Sequence, residues 1–291
     1  MCFIFSTVFL FTKVGLNIGW TPFLFSGIRF ISAGLIIIII MMLKRKKLNK
    51  DIWRKQPDIF KIGVFMTGIP FAAVYWSIQY LDSGIVSILV TLGTFFTFIL
   101  EKIKSKNKFE FTEILGILFC LCGTMLIAVP DFHKINKFNI IIIVIFIVAE
   151  FFFAIGSIEV KNLLTKSKLN AFAVNGFQMF YGGAFLLGIN IILKEKPIEE
   201  LSLYSFAILL YFIFIASILA NSIYCWLIEK KGAFFPATQT FVSPVLAIFL
   251  GALFLNEEII LIKIIASILI LIGLLMMYSN SFKTILNRKD N

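Results

Sequence analysis

Polar material is what this sequence lacks most. Charged residues fill only 15% of its 291 positions, while 60% are hydrophobic and the mean hydropathy is +0.98. No single soluble core buries that share of apolar side chains, so the expected solvent is lipid. Histidine is almost absent, and the one copy, His133, falls in an expected outer loop. That rules out a His-Glu-x-x-His site; a pair of intramembrane aspartates and a Gly-x-Ser-x-Gly elbow are missing too, so an intramembrane enzyme is not expected. No Gly-x-x-x-x-Gly-Lys-Ser/Thr loop is present, and the chain itself does not use ATP. The cysteines, Cys2, Cys120, Cys122 and Cys225, all lie in apolar segments. Cys120 and Cys122 project from different sides of a helix, so neither a disulfide framework nor a metal site is expected, and no cofactor is implied. A cleavable signal is not expected either, because the first apolar stretch lacks a basic leading region.

What is present is a series of apolar runs. Each is close to the ~20 residues a helix needs to cross a ~30 Å hydrocarbon core. Runs such as Leu35 to Met42 and Ile140 to Ile147 lack the alternation of a barrel strand, which leaves helices as the means of satisfying the backbone in lipid. The reading is an all-α integral membrane fold of ten spans: 1–16, 23–43, 59–80, 83–101, 111–129, 139–159, 170–193, 204–228, 233–255 and 259–279. Most of the 35 phenylalanines are read as lipid-facing bulk.

The net charge of +11 is distributed as membrane loops require. Twenty of the 27 Lys and Arg residues fall in the 44–61, 102–108, 161–168 and 230–231 connections and the tail after 280, and five fall on the opposite side. That bias places both termini in the cytoplasm and argues against a nucleic-acid partner. Lys13, near the outer end of the first span, is read as snorkelling to the interface.

The chain also repeats itself at an offset of about 149 residues. Gly27, Arg29 and Ala33 correspond to Gly176, Gln178 and Gly182, and Gly116 and Gly123 correspond to Ala266 and Gly273. Five spans per half make the second half cross in the reverse sense, the inverted-repeat plan of many secondary carriers. The expected organisation is a first five-helix repeat over 1–130, a second over 139–280 and a cytoplasmic tail over 281–291. The first span is about ten residues shorter than its partner. A start upstream of Met1 and a short, tilted first helix both account for that.

In the first half, Lys13-Val14-Gly15 is followed by Pro22, Arg29 and Ala33. In the second, Tyr224 leads to Lys230-Lys231-Gly232-Ala233, then Ser243-Pro244-Val245 and Asn256-Glu257. In this order and spacing the chain resembles the EamA-type branch of the drug/metabolite transporter superfamily over essentially its whole length. It departs from the family pattern at Thr94, Asn107, Ser243 and Asn256. The resemblance implies an alternating-access carrier with a central cavity, handling amino acids or other small metabolites.

Glu150 is the most informative residue. It lies eleven positions into the 139–159 span, where a carboxylate costs ~2.5–3.5 kcal/mol unless paired, protonated or hydrated. It is expected to bind a substrate amine or to titrate during transport; pairing with a buried Lys, Arg or Gln is the structural alternative. Arg29 and its repeat mate Gln178 are candidates together, and Arg29 either holds a carboxylate or ties helices. Asn221 with Tyr224 and Gln239 with Ser243 each share a helix face, and the resemblance implies that they border the cavity; interhelical hydrogen bonding is the alternative. Tyr75 and Gln79 are a further pair, and Trp76 is read as lining or as interfacial belt. Pro244 is a candidate hinge or a static kink. Gly176, Gly182, Gly183 and Gly188 are expected to let helices approach, and Glu257 and Glu258 to cap a helix.

The function expected is secondary active transport of a small metabolite, an amino acid or related compound, across the cytoplasmic membrane, in one or two copies and with protons as a candidate coupling ion. A multidrug efflux carrier is the alternative within the class. A channel or a non-transporting scaffold is the alternative outside it, disfavoured by the lack of a filter loop.

Overall fold

The computed structural model describes residues 1–43, 50–81, 83–128, 137–167, 169–195, 202–255 and 261–287, and nearly all of these are helical. His133, Asn256, Glu257 and Glu258 lie outside the described residues, as does the side chain of Lys13. The helices are α1 (Cys2–Asn17), α2 (Pro22–Leu43), α3 (Lys50–Arg54), α4 (Gln56–Ser77), α5 (Ser83–Ser105) and α6 (Phe111–Ala128). They continue as α7 (Lys137–Ser167), α8 (Ala171–Leu193), α9 (Leu203–Lys231), α10 (Phe234–Ala237), α11 (Gln239–Leu255) and α12 (Leu261–Asn287). Among the described residues, six stretches are long and apolar enough to cross a membrane: Pro22–Leu43, Gln56–Ser77, Phe138–Ser167, Ala171–Leu193, Leu203–Lys231 and Leu261–Tyr278. Phe111–Ile127 is a shorter apolar helix. The chain is a multi-pass, all-helical membrane protein.

α7 illustrates the packing logic. Ile141, Val144, Ile145, Val148 and Phe151 form an exposed stripe at helical spacing, while Ile142, Phe146 and Ala149 behind them are buried. Water does not tolerate a stripe of that length, and lipid does. The helix runs to Ser167, past the expected end of its span, and Glu159 at that end and Lys161 just beyond it pair with α5: Lys161 Nζ is 2.6 Å from Glu101 and Lys104 Nζ is 2.9 Å from Glu159. A minority of the phenylalanines face inward. Phe25, Phe30, Phe146, Phe212 and Phe241 are fully buried, because helix pairs held apart by non-glycine residues need large side chains to fill the gap.

Glycine closes the tightest crossings, and the crossings occur in matching pairs. A methyl group on Gly34 of α2 would lie 2.6 Å from the Gly176 carbonyl oxygen of α8, and one on Gly183 would lie 3.0 Å from that of Gly27. One contact becomes the other when the two repeat positions are exchanged. The same holds between α6 and α12, where Gly116 meets the Gly273 carbonyl and Gly123 meets that of Ala266, at 2.6 and 2.8 Å from a would-be methyl. In both pairs the residue number rises along one helix as it falls along the other, so the helices run antiparallel. Gly188, by contrast, faces nothing within 4 Å, contrary to the packing role expected of it.

Both α4 and α9 widen to π-helix, at Gly63–Gly68 and Phe212–Asn221. In α4 the cause is local: Pro70 has no N–H to give, and Ile69 N donates to Val64 O, five residues back. In α9 the Asn221 side chain enters the ladder, its Nδ2 donating to Ala216 O at 3.3 Å.

Three of the basic connections, those after α5, α7 and α9, meet at one end of the bundle. Glu101, at the end of α5, accepts from Lys161 Nζ of α7 and from the Phe234 backbone N–H of α10 at 2.7 Å, and touches Gly232. Gly232 has φ +93, a turn in which a side chain is strained. At the opposite end Glu195 accepts from Phe23 N and Leu24 N, at 3.2 and 3.3 Å, and from Asn190 Nδ2. That places a carboxylate on the positive end of the α2 dipole.

Candidate functional site

A cavity of about 100 Å³ lies between α1, α4, α5, α7, α8, α9 and α11. By the measure in which one water needs ~10–15 Å³, it has room for several. Glu150, Gln178, Tyr75, Asn221, Tyr224, Gln239, Ser243 and Pro244 all line it. Two expected site residues do not. Gln79 lies beyond Ser77, where α4 ends, and donates to the Trp76 carbonyl from an exposed turn at 3.3 Å; the rule that put it on the face of Tyr75 holds only while the helix continues. Arg29 sits behind the wall. Trp76 packs edge-on against Tyr80 at 5.8 Å and does not line the cavity.

Arg29 is fully buried. Its Nε donates to Ser217 Oγ of α9 at 2.7 Å and its Nη1 to the Tyr75 hydroxyl at 2.8 Å. Its guanidinium carbon is 4.5 Å from the Phe30 ring centre, 5.6 Å from that of Phe71 and 4.6 Å from that of Phe212. Aromatic faces attract a desolvated cation, so the phenylalanines that looked like bulk make the socket of the buried arginine. Of the two roles open to Arg29, this arrangement is the helix tie.

Gln178 makes the equivalent contact in the other half, accepting from Thr67 Oγ1 of α4 at 3.0 Å. Thr67 and Ser217 are themselves 150 positions apart, each within a π-helical stretch. Gln178 also donates to Asn175 Oδ1 at 3.0 Å, and Asn175 donates to Ser222 at 3.1 Å. Thr67, Ser217 and Asn175 were not singled out from sequence, although the repeat offset applied to Thr67 leads to Ser217.

Glu150 is 3% exposed. Among the described residues its carboxylate has neither a hydrogen bond nor an ion pair, and it rests against the Cα of Gly93 on α5. Tyr224 stands in the same cavity wall with its ring 6.3 Å from that of Phe153. The Tyr224 and Ser157 hydroxyls are buried beside one another and have no other hydrogen-bond partner among the described residues. On α11, Ser243 donates to Gln239 O and Oε1, both at 2.9 Å. Thr240 and Thr94 share a 2.7 Å hydroxyl contact, and Thr94 donates to Ala237 O at 2.8 Å. The departure at Thr94 therefore joins α5 to the segment leading into α11. Among the described residues no cluster of three or more His, Cys, Asp or Glu side chains could hold a metal ion.

The profile of the EamA-like transporter family matches residues 1–129 and again 140–279. An uncharacterized transporter of Bacillus subtilis, YoaV, is 23% identical over 265 residues, covering 91% of this chain and 89% of that protein. The uncharacterized inner membrane transporter YedA of Escherichia coli is 24% identical over 249 residues, 85% of this chain and 78% of that one. A solved crystal structure superposes with a TM-score of 0.79 over 95% of this chain and 94% of its own at 14% identity, a likeness of fold.

Proposed function

Since the chain belongs to the EamA-like transporter family, we propose that it is a secondary active transporter that moves a small metabolite, an amino acid or related compound, by alternating access. The observation that carries this reading is the matched pair of contacts at the cavity wall. Arg29 on Ser217 and Gln178 on Thr67 are one interaction made twice, each joining one half to the other. With the paired glycine crossings and their antiparallel sense, this supports ten spans arranged as two inverted five-helix repeats, over 1–130 and 139–280. Such a molecule has two equivalent ways to rock about a central site, which is what alternate opening requires.

The basic end, carrying Lys102, Lys104, Lys161, Lys230 and Lys231, is the cytoplasmic end by the positive-inside rule, so both termini face the cytoplasm of a cell whose inner or plasma membrane holds the protein. Glu101 is the latch of that end: its carboxylate holds α5, α7 and the turn before α10 together. α11, which carries Gln239, Ser243 and Pro244, begins just beyond. Pro244 leaves the Thr240 carbonyl without its helical donor and gives α11 a place to bend. Protons are the candidate coupling ion, with Glu150 their acceptor.

Counterflow in proteoliposomes tests the carrier reading. Vesicles loaded with a panel of unlabelled amino acids and amines should accumulate labelled substrate against no net gradient. Equilibration without trans-stimulation for every compound, or leak scaling only with size, is the behaviour of a channel and contradicts it.

A further inference from the structure

The matched contacts of Arg29 with Ser217 and Gln178 with Thr67 are accompanied by one bond that only the first half makes, and it carries charge. Tyr75 and Tyr224 are 149 positions apart and both line the cavity. In the first half Arg29 reaches across and binds the Tyr75 hydroxyl. In the second half the residue in the place of Arg29 is Gln178, which is shorter, and its amide is already spent on Thr67 and Asn175. Tyr224 has only the Ser157 hydroxyl beside its own and no charged donor among the described residues. On that same side stands Glu150, the one charged residue among those lining the cavity.

The cavity is thus electrically lopsided. Its buried cation is withdrawn behind Phe71 and Tyr75 and held by two hydroxyls and three rings. Its buried anion faces the open space with no partner among the described residues. A buried carboxylate with no compensating charge is costly, and the cost is relieved when a cation arrives. An anionic ligand would meet Glu150 with no lining cation among the described residues to offset it. Most of the exposed wall is apolar, including Val8, Met66, Val74, Val90 and Phe153, with neutral polar groups such as Gln239 and Ser243 among them. Asn221 adds a further acceptor: its Nδ2 donates to Met179 and Ala216, and its Oδ1 is in none of these bonds.

We infer that the substrate is an organic monocation, an amine on an apolar body without a free carboxylate, and that Glu150 is its counter-ion with Tyr224 a second ligand of the ammonium group. This rests on the carrier reading for its purpose, though not for its measurement. Within the class of amino acids and related compounds it selects the amines.

Binding to the purified full chain in detergent or nanodiscs, read by thermal shift and by tryptophan fluorescence, separates the possibilities. The probes share one phenyl body: phenethylamine, L-phenylalanine and 3-phenylpropionate, with a panel of aliphatic monoamines beside them. Amines should bind, and phenethylamine should exceed 3-phenylpropionate by about tenfold or more, the worth of one charge-assisted contact. L-phenylalanine should fall between. Glu150→Gln, which is isosteric and removes the burial cost of the charge, should lose amine binding by a similar factor while remaining monodisperse and thermally stable. Tyr224→Phe should weaken it several-fold. If Glu150→Gln does not fold, Glu150→Asp with altered amine affinity and intact stability serves the same purpose.

The inference fails if L-phenylalanine or 3-phenylpropionate binds as well as the amine, if no monoamine binds, or if Glu150→Gln keeps wild-type amine affinity. Amine binding through Glu150 without counterflow would sink the carrier reading and leave this one standing. Counterflow of an anion would do the reverse.

Discussion

Glu150 and Gly93 are best read as one device. The carboxylate rests against the Gly93 Cα, so any side chain at 93 pushes it aside without altering its charge. Gly93→Ala should therefore reduce transport by about tenfold or more, an energy of ~1.4 kcal/mol, while expression and monodispersity hold; uptake at the wild-type rate would show that the carboxylate is not positioned there for use. Glu150 was legible from its depth in an apolar run, because lipid makes a lone carboxylate expensive wherever the helix packs. Gly93 was not, because its importance lies in a neighbour on another helix. The same division separates Gln178, found through the repeat, from the Phe30, Phe71 and Phe212 socket of Arg29. Composition makes a phenylalanine look like lipid-facing bulk, and only packing shows which ones meet a cation. Gln79 was misplaced by extending helical periodicity two residues past the end of α4.

At the scale of elements, the π-helical stretches explain how two hydroxyls reach the opposite half. Gly63–Gly68 carries Thr67 and Phe212–Asn221 carries Ser217, and the extra residue in each turn rotates the face that a regular helix would present. Pro70 announces the first stretch in the sequence; nothing as plain announces the second, whose cause is a side-chain bond from Asn221. The Glu101 latch was likewise hidden, since a glutamate beginning a run of lysines reads as a solvated loop. Its ion pair with Lys161 is partly exposed, 18% at the glutamate and 30% at the lysine, and such pairs contribute up to about 1 kcal/mol. Glu101→Gln should shift the closed-to-open ratio at that end by about fivefold. In a chain freed of native cysteines, Ser243→Cys should then react correspondingly faster with an impermeant thiol reagent applied from the side bearing Lys104 and Lys231. An unchanged labelling rate would remove the latch from the mechanism.

For the whole molecule, the internal repeat that motivates two inverted halves was readable because glycine spacing survives where most side chains have diverged. The repeat mates Gly27 with Gly176 and Gly123 with Gly273 lie where helices approach to backbone contact, and so close a crossing leaves little freedom to substitute. Which face each helix turns to the cavity was only partly readable, since that depends on the bends at Pro70, Pro244 and the π-helical stretches. Alternation between the two ends is the central claim, and paired distance measurements test it most directly. Spin labels at Lys104 and Lys231 report one end of the bundle, and labels at Tyr80 and Leu193, both exposed, report the other. Alternating access requires two populations whose distances change in opposite senses, one end widening as the other narrows when an amine is added. Ends that widen together, or a single unmoving distance at both ends with and without the amine, would contradict it.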